Sequence, residues 1–307
     1  MIKRWFNEEE AQKEINWSLE NNPHTEMLPT LSFDVWSVKT DEELVPLLYF
    51  MYLDLGLIES FSIPEEKLKY TYFSLFFSKI QIFKFFDFLK RNFLIAVKNS
   101  YRYNYYHNFR HAFDVTQHVY YCLRSTGARE KLKTLDLFGL LLAAITHDID
   151  HPGVNNTFLT LTGAALAIRY NDISPLENFH CAYTWNLLSN DDTNILEGLS
   201  PSQRADIRKI VISCILTSDP VRTMELLTKF KNAKENYDIE NVENRLVVAQ
   251  FILKCSDISN PVRLFNVARV WAERIREEFF RQVRILLIFP NSSPLIMILI
   301  VGWFTGR

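Results

Sequence analysis

Tyr105-Tyr106-His107-Asn108-Phe109-Arg110-His111-Ala112 and, further along, Thr146-His147-Asp148-Ile149-Asp150-His151-Pro152-Gly153 contain four of the chain's seven histidines. His107 and His111 are four apart, so on a helix their rings would share one face. His147 and Asp148 place a nitrogen and an oxygen ligand side by side, and His151 follows one helical turn on. A third stretch, Lys254-Cys255-Ser256-Asp257-Ile258-Ser259-Asn260-Pro261, puts an aspartate at the end of an apolar helical run. Mixed imidazole and carboxylate suits zinc and other first-row divalent ions, whereas all-carboxylate sets suit magnesium or calcium. A lone His-x-x-x-His pair is more often structural, and a lone His-Asp dipeptide carries little information. The conjunction is more telling, because apolar runs such as Leu140-Leu141-Leu142-Ala143-Ala144-Ile145 would bury these groups, and buried charge needs a partner or a metal.

The rest of the composition narrows the class. A chain of 307 residues that is 48% apolar can bury a substantial core in one large domain or two. A net charge of −2 with no basic block argues against nucleic acid and against an anionic membrane surface. Cys122, Cys181, Cys214 and Cys255 lie in apolar helical contexts without paired spacing and read as reduced core residues. Met1-Ile2-Lys3-Arg4-Trp5 lacks the apolar run of a signal peptide, so a cytoplasmic location is expected. With eight glycines and little strand-like alternation, the chain reads as all-α.

Helix signals recur along the sequence. Residues 5–20 read as a weakly amphipathic helix broken at Asn21-Asn22-Pro23. Asp41 reads as an N-cap, and Pro64 as the first turn of a later helix. Val115 to Leu123 continues the helix of the His107 motif. Thr134 reads as the N-cap of a buried helix, Leu135–Thr146, that delivers His147-Asp148. Leu159–Tyr170 reads as one short helix. Ser174-Pro175-x-Glu177 and Ser200-Pro201-x-Gln203 each carry the capping-box signature. Asn232–Val242 reads as a polar connection, Leu246–Lys254 as a buried helix, and Phe265–Gln282 as an amphipathic one.

The spaced motifs resemble the catalytic domain of the class I cyclic-nucleotide phosphodiesterases, over about Trp5 to Gln282. The likeness rests on Tyr106-His107-Asn108 with His111, the run from His147 to Asn155, Tyr170 through His180, and Ser256-Asp257-Ile258-Ser259-Asn260. The wording from Asn171 to Asn178 is most similar to the high-affinity, cGMP-preferring type-nine branch. The resemblance implies a compact multi-helix metal phosphohydrolase domain over residues 1–282, truncated at its C-terminus, with the catalytic chemistry of the family. Thr71 to Asn92, rich in Phe, Ile and Lys, looks inserted relative to that pattern. It reads either as an extra helix or hairpin or as translated intron. The apolar tail 283–307 has no counterpart in the pattern and reads as intron read-through, a divergent tail or an anchor. Its longest clean apolar run, Leu295 to Phe304, is short for a membrane span.

By resemblance, His111, His147, Asp148 and Asp257 hold a tight metal, usually Zn2+. Asp148 and several waters hold a second, Mg2+ or Mn2+. A hydroxide bridging the two metals attacks phosphorus, and His107, oriented by Glu278, protonates the leaving 3′ oxygen. His151, Glu177, His180 and Ser218 match groups that hold metal waters, and Tyr106 and Asn260 match residues lining the nucleotide pocket. The family's purine-binding Gln and stacking Phe belong to a segment with no match here. The implied partner is a cyclic nucleotide, cGMP or cAMP, with a homodimer as a further option. Two alternatives stay open: another phosphohydrolase of the same His-Asp type, and an inactive truncated fragment.

Overall fold

The computed structural model describes Ile15, Trp17 and residues 22–57 and 91–288. The opening helix, the helix at Pro64, most of the 71–92 stretch and the tail beyond Ile288 lie outside the described residues. Among the described residues there is no strand, and the fold is all-α. In chain order the helices are α1 (Pro23–Met27), α2 (Asp41–Asp54), α3 (91–100), α4 (Phe109–Ser125), α5 (Thr134–Thr146) and α6 (Asn156–Leu161). They continue with α7 (Ala165–Arg169), α8 (Pro175–Leu188), α9 (Pro201–Thr217), α10 (Thr223–Glu235), α11 (Val242–Asp257) and α12 (Phe265–Ile288).

The bundle is built around α5. Every residue from Asp136 to Thr146 is buried, as expected of a helix without a polar face. It packs against α9, α4, α11 and α8. At Gly139 the two helices α5 and α9 come close: a β carbon there would stand 2.7 Å from Ile210 Cγ2. Gly139→Ala is therefore expected to overpack the α5–α9 contact and destabilise the fold by about 1–3 kcal/mol. Chemical denaturation of the two proteins checks this, and an unchanged midpoint would show that α9 yields freely.

The helix ends show where local chemistry prevailed. The Ser200 signal is realised in full: Gln203 N–H donates to Ser200 Oγ at 3.3 Å, and Ser200 N–H donates to Gln203 Oε1 at 2.9 Å. Two caps sit one residue earlier than the sequence reading placed them. Thr40, not Asp41, caps α2. Lys133 is the cap residue of α5, its N–H donating to Asp136 Oδ2 at 2.8 Å, with Thr134 already helical. Asn22 is the N-cap of α1, its side chain accepting from His24 N–H at 3.0 Å. The expected Leu159–Tyr170 helix is two short ones, parted where Gly163 adopts φ +60°. Residues expected as a polar connection from Asn232 remain helical through Glu235. α12 runs unbroken past Gln282 to Ile288. All four cysteines are free thiols; Cys181 and Cys214 are buried, while Cys122 and Cys255 are only half-buried. No helix among the described residues is long and apolar enough to cross a membrane.

Candidate active site

Three helices bring four side chains together at the C-terminal end of α5. Its last turn delivers His147, and Asp148 follows. α4 supplies His111 from its first turn, and α11 ends on Asp257. His147 Nε2 lies 3.0 Å from Asp148 Oδ2 and 3.5 Å from Asp257 Oδ1; His111 Nε2 lies 3.4 Å and 3.3 Å from the same two oxygens. One atom from each of the four residues falls within 4.8 Å of the others. An ion with ligand bonds near 2.1 Å separates adjacent donors by about 3.0 Å in octahedral and about 3.4 Å in tetrahedral geometry. The observed spacings match those edges.

The hydrogen bonding agrees. His147 Nδ1–H donates to the Ala144 carbonyl at 2.8 Å, which fixes the tautomer and leaves the Nε2 lone pair facing the carboxylates. His147 Nε2 and both ring nitrogens of the fully buried His111 have no protein hydrogen-bond partner. Buried polar atoms are rarely left so. Both carboxyl groups are held ionised despite their burial. Burial pushes the Asp148 carboxyl up, but the His147 and His111 imidazoles outweigh it and hold it well below the usual carboxylate range. Asp257 is lowered likewise against its burial by the same two rings. A divalent cation fits this donor set.

His107 stands beside the cluster, but not as the shared-face reading had it. Asn108 caps α4, its Oδ1 accepting from His111 N–H at 3.1 Å, so His107 precedes the helix. Its Nδ1–H is hydrogen-bonded to Glu278 Oε1. The other Glu278 oxygen accepts Tyr106 N–H at 2.8 Å and His107 N–H at 3.1 Å. Burial disfavours the imidazolium, yet the Glu278 hydrogen bond together with the Asp148 and Asp257 carboxylates outweighs it and raises the His107 pKa above its ordinary value. Glu278 is buried itself, and the His107 contact more than offsets that burial, lowering its pKa.

His151 is also not a continuation of a helix. The chain turns after His147, Asp150 adopts φ +56°, and the His151 ring stacks on His107 with centroids 4.0 Å apart and planes 21° apart. His151 Nδ1 accepts Gly153 N–H at 3.0 Å, so its proton belongs on Nε2. His180 donates from Nδ1 to the Ile149 carbonyl at 2.7 Å and points Nε2 toward Asp148 Oδ1 at 3.7 Å. Asp148, His151 and His180 form a second group of converging ligand atoms.

Glu177 accepts from Asn156 Nδ2 at 2.9 Å rather than closing a capping box, and burial pushes its carboxyl up to about 7. Ser174 stands at the cap position in the left-handed region, φ +43°, and its hydroxyl donates to Asp219 Oδ2 at 2.7 Å instead. Ser218 is buried at the end of α9, its hydroxyl donating to the Ile215 carbonyl at 2.8 Å.

Tyr106 and Asn260 are brought together, the phenol donating to Asn260 Oδ1. The Asn260 amide also donates to Asp114 Oδ2 at 3.3 Å, and Asp114 pairs with Arg263 at 2.8 Å, both side chains wholly buried. Sequence reading missed Asp114 and Arg263, since neither position carries a spacing signal. Arg263→Ala would leave the Asp114 carboxylate buried without its cation. The expected cost is about 3–5 kcal/mol, read as a fall in the denaturation midpoint; a change within error would show that water replaces the guanidinium.

The fold is all-helical among the described residues, and two histidines and two aspartates converge in it closely enough to share one metal ion. The family described as 3′5′-cyclic nucleotide phosphodiesterase matches residues 106–285, and the chain belongs to that family. It is 39% identical over 262 residues to the mouse "High affinity cGMP-specific 3′,5′-cyclic phosphodiesterase 9A", covering 85% of this chain and 45% of that protein. It is 38% identical over 265 residues to the Dictyostelium discoideum "3′,5′-cyclic-nucleotide phosphodiesterase regA", covering 85% of this chain and 30% of the relative. The chain therefore spans less than half the length of these relatives. The crystal structure of the phosphodiesterase domain of the RhoPDE fusion protein from Salpingoeca rosetta superposes with a TM-score of 0.75 at 28% identity. That likeness covers 93% of this chain and 81% of the other.

Proposed function

We propose that the chain hydrolyses a 3′,5′-cyclic nucleotide to the nucleoside 5′-monophosphate, with cGMP as the first substrate to test and cAMP as the second. One observation supports this above the rest: two imidazoles and two carboxylates converge beside a histidine hydrogen-bonded to a buried glutamate. The preference for cGMP rests on the mouse relative, which is named for cGMP; the mouse "3′,5′-cyclic-AMP phosphodiesterase 4C", 37% identical over 185 residues, keeps cAMP in the comparison.

His111, His147, Asp148 and Asp257 would hold one divalent ion, zinc by their donor chemistry. Asp148 would be shared with a second ion, magnesium or manganese, whose waters His151, Glu177, His180 and Ser218 would hold. Such a pair supplies Lewis acidity at phosphorus and a nucleophile at neutral pH. The remaining steps belong to the protein. His107 carries the proton that the departing 3′ oxygen needs. Glu278 orients the ring through Nδ1 and favours its protonated form. Tyr106 and Asn260 line the nucleotide.

The test is product analysis after incubating the purified chain with cGMP and with cAMP in the presence of zinc and magnesium. The expected product is the 5′-monophosphate from at least one of them. A 3′-monophosphate, or no product from protein that is folded and helical, would overturn the proposal.

A further inference from the structure

Asn104 has no part in the chemistry above, yet its side chain bridges two of the loops that build the site. Nδ2 donates to the His107 carbonyl at 2.9 Å and to the His151 carbonyl at 2.7 Å. These two residues carry the rings stacked 4.0 Å apart. The Asn104 carbonyl in turn accepts from Asn108 Nδ2 at 3.0 Å, and Asn108 caps the helix that presents His111. The Asn104 carboxamide also sits where the chain has no β carbon. One added at Gly153, itself at φ +76°, would stand 2.8 Å from Asn104 Oδ1. The turn at 151–153 is thus shaped to admit this side chain. The same loops are also joined by the Arg102–Asp150 ion pair at 2.5 Å, whose arginine is half exposed, and exposed pairs contribute little.

We propose that Asn104 is a positioning residue: by donating to both backbone carbonyls, it holds the His107 ring in register over His151 and toward the metal-binding cluster. This rests on the reading of His107 as proton donor. The two donors are the feature that matters. Among side chains of this size, a carboxamide is the uncharged group whose nitrogen can present two N–H bonds to two carbonyl oxygens. Asn104→Asp keeps the shape and removes both donors, setting a carboxylate against two carbonyl oxygens. A side chain that merely filled space would tolerate that change.

The experiment compares the parent chain with Asn104→Ala and Asn104→Asp in kcat, KM, bound metal and the histidine ring proton resonances. The His107 signal is assigned from its absence in His107→Gln. The expected result is a fall in kcat of about 10²-fold in both variants, at least as large for Asp as for Ala. KM and metal content stay at the parental level, and the His107 and His151 resonances shift while those of His111 and His147 do not. Parental kcat in Asn104→Asp with unmoved ring resonances would overturn the proposal. So would a parallel loss of kcat, metal and thermal stability, which would mark a general structural role. Two variants guard against one failing to fold. If the parent itself shows no turnover, the proposed function falls, and the ring resonances still decide whether Asn104 positions His107.

Discussion

Asp257→Ala is expected to abolish metal-dependent hydrolysis. Its carboxylate, at the last residue of α11, lies 3.3 Å from His111 Nε2 and 3.5 Å from His147 Nε2. Removing it takes away one of the four converging donors and one of the two negative charges on which a divalent ion would rest. The two buried imidazoles would then face Asp148 alone. The helix should survive, because α11 is capped at its start by Asn241 and carries buried Leu246, Ala249 and Leu253 along its length. The measurement is turnover together with bound metal after equilibrium dialysis, with circular dichroism as the check on folding. Turnover at the parental level would remove Asp257 from the site.

His107→Ala is expected to separate chemistry from metal binding. Loss of a general acid slows turnover by about 10²-fold or more, whereas the converging donors on His111, His147, Asp148 and Asp257 are untouched. The local backbone has reason to stay in place. Glu278 would lose the imidazole but keep the Tyr106 and His107 backbone N–H bonds at 2.8 Å and 3.1 Å. Those two bonds leave its carboxylate anchored, so α12 remains docked on the loop before α4. A matching loss of bound metal in His107→Ala would contradict the proton-donor role and place His107 among the ligands instead.

These contrasts also show what a sequence can reveal. The convergence of His111, His147, Asp148 and Asp257 was legible because each sits in a short motif flanked by apolar helix, and burial of several charged groups in one fold demands a shared partner. Ser200-Pro201-x-Gln203 was legible because a capping box is complete within four residues. Elsewhere the deciding contact came from far along the chain. Ser174 carries the same signature, but its hydroxyl is claimed by Asp219, 45 residues on, and the Glu177 carboxylate by Asn156. His107 and His111 fit helical spacing, yet Asn108 is a better cap than helix interior and starts the helix between them. That signal was present and outvoted by the spacing. The Asn104 bridge and the Asp114–Arg263 pair had no local sign at all. Each depends on loops or helices meeting in space, and an isolated asparagine or aspartate reads as an ordinary polar residue until its partners are known.

If the cluster at the end of α5 holds metal as proposed, hydrolysis depends on it. The most direct measurement is turnover of cGMP and cAMP by the unmodified chain before chelation, after chelation, and after zinc and magnesium are returned. Activity is expected to vanish with chelator and to return with both ions added to protein that stays helical throughout. Hydrolysis that persists in metal-stripped protein, with no zinc or magnesium detectable, would contradict it.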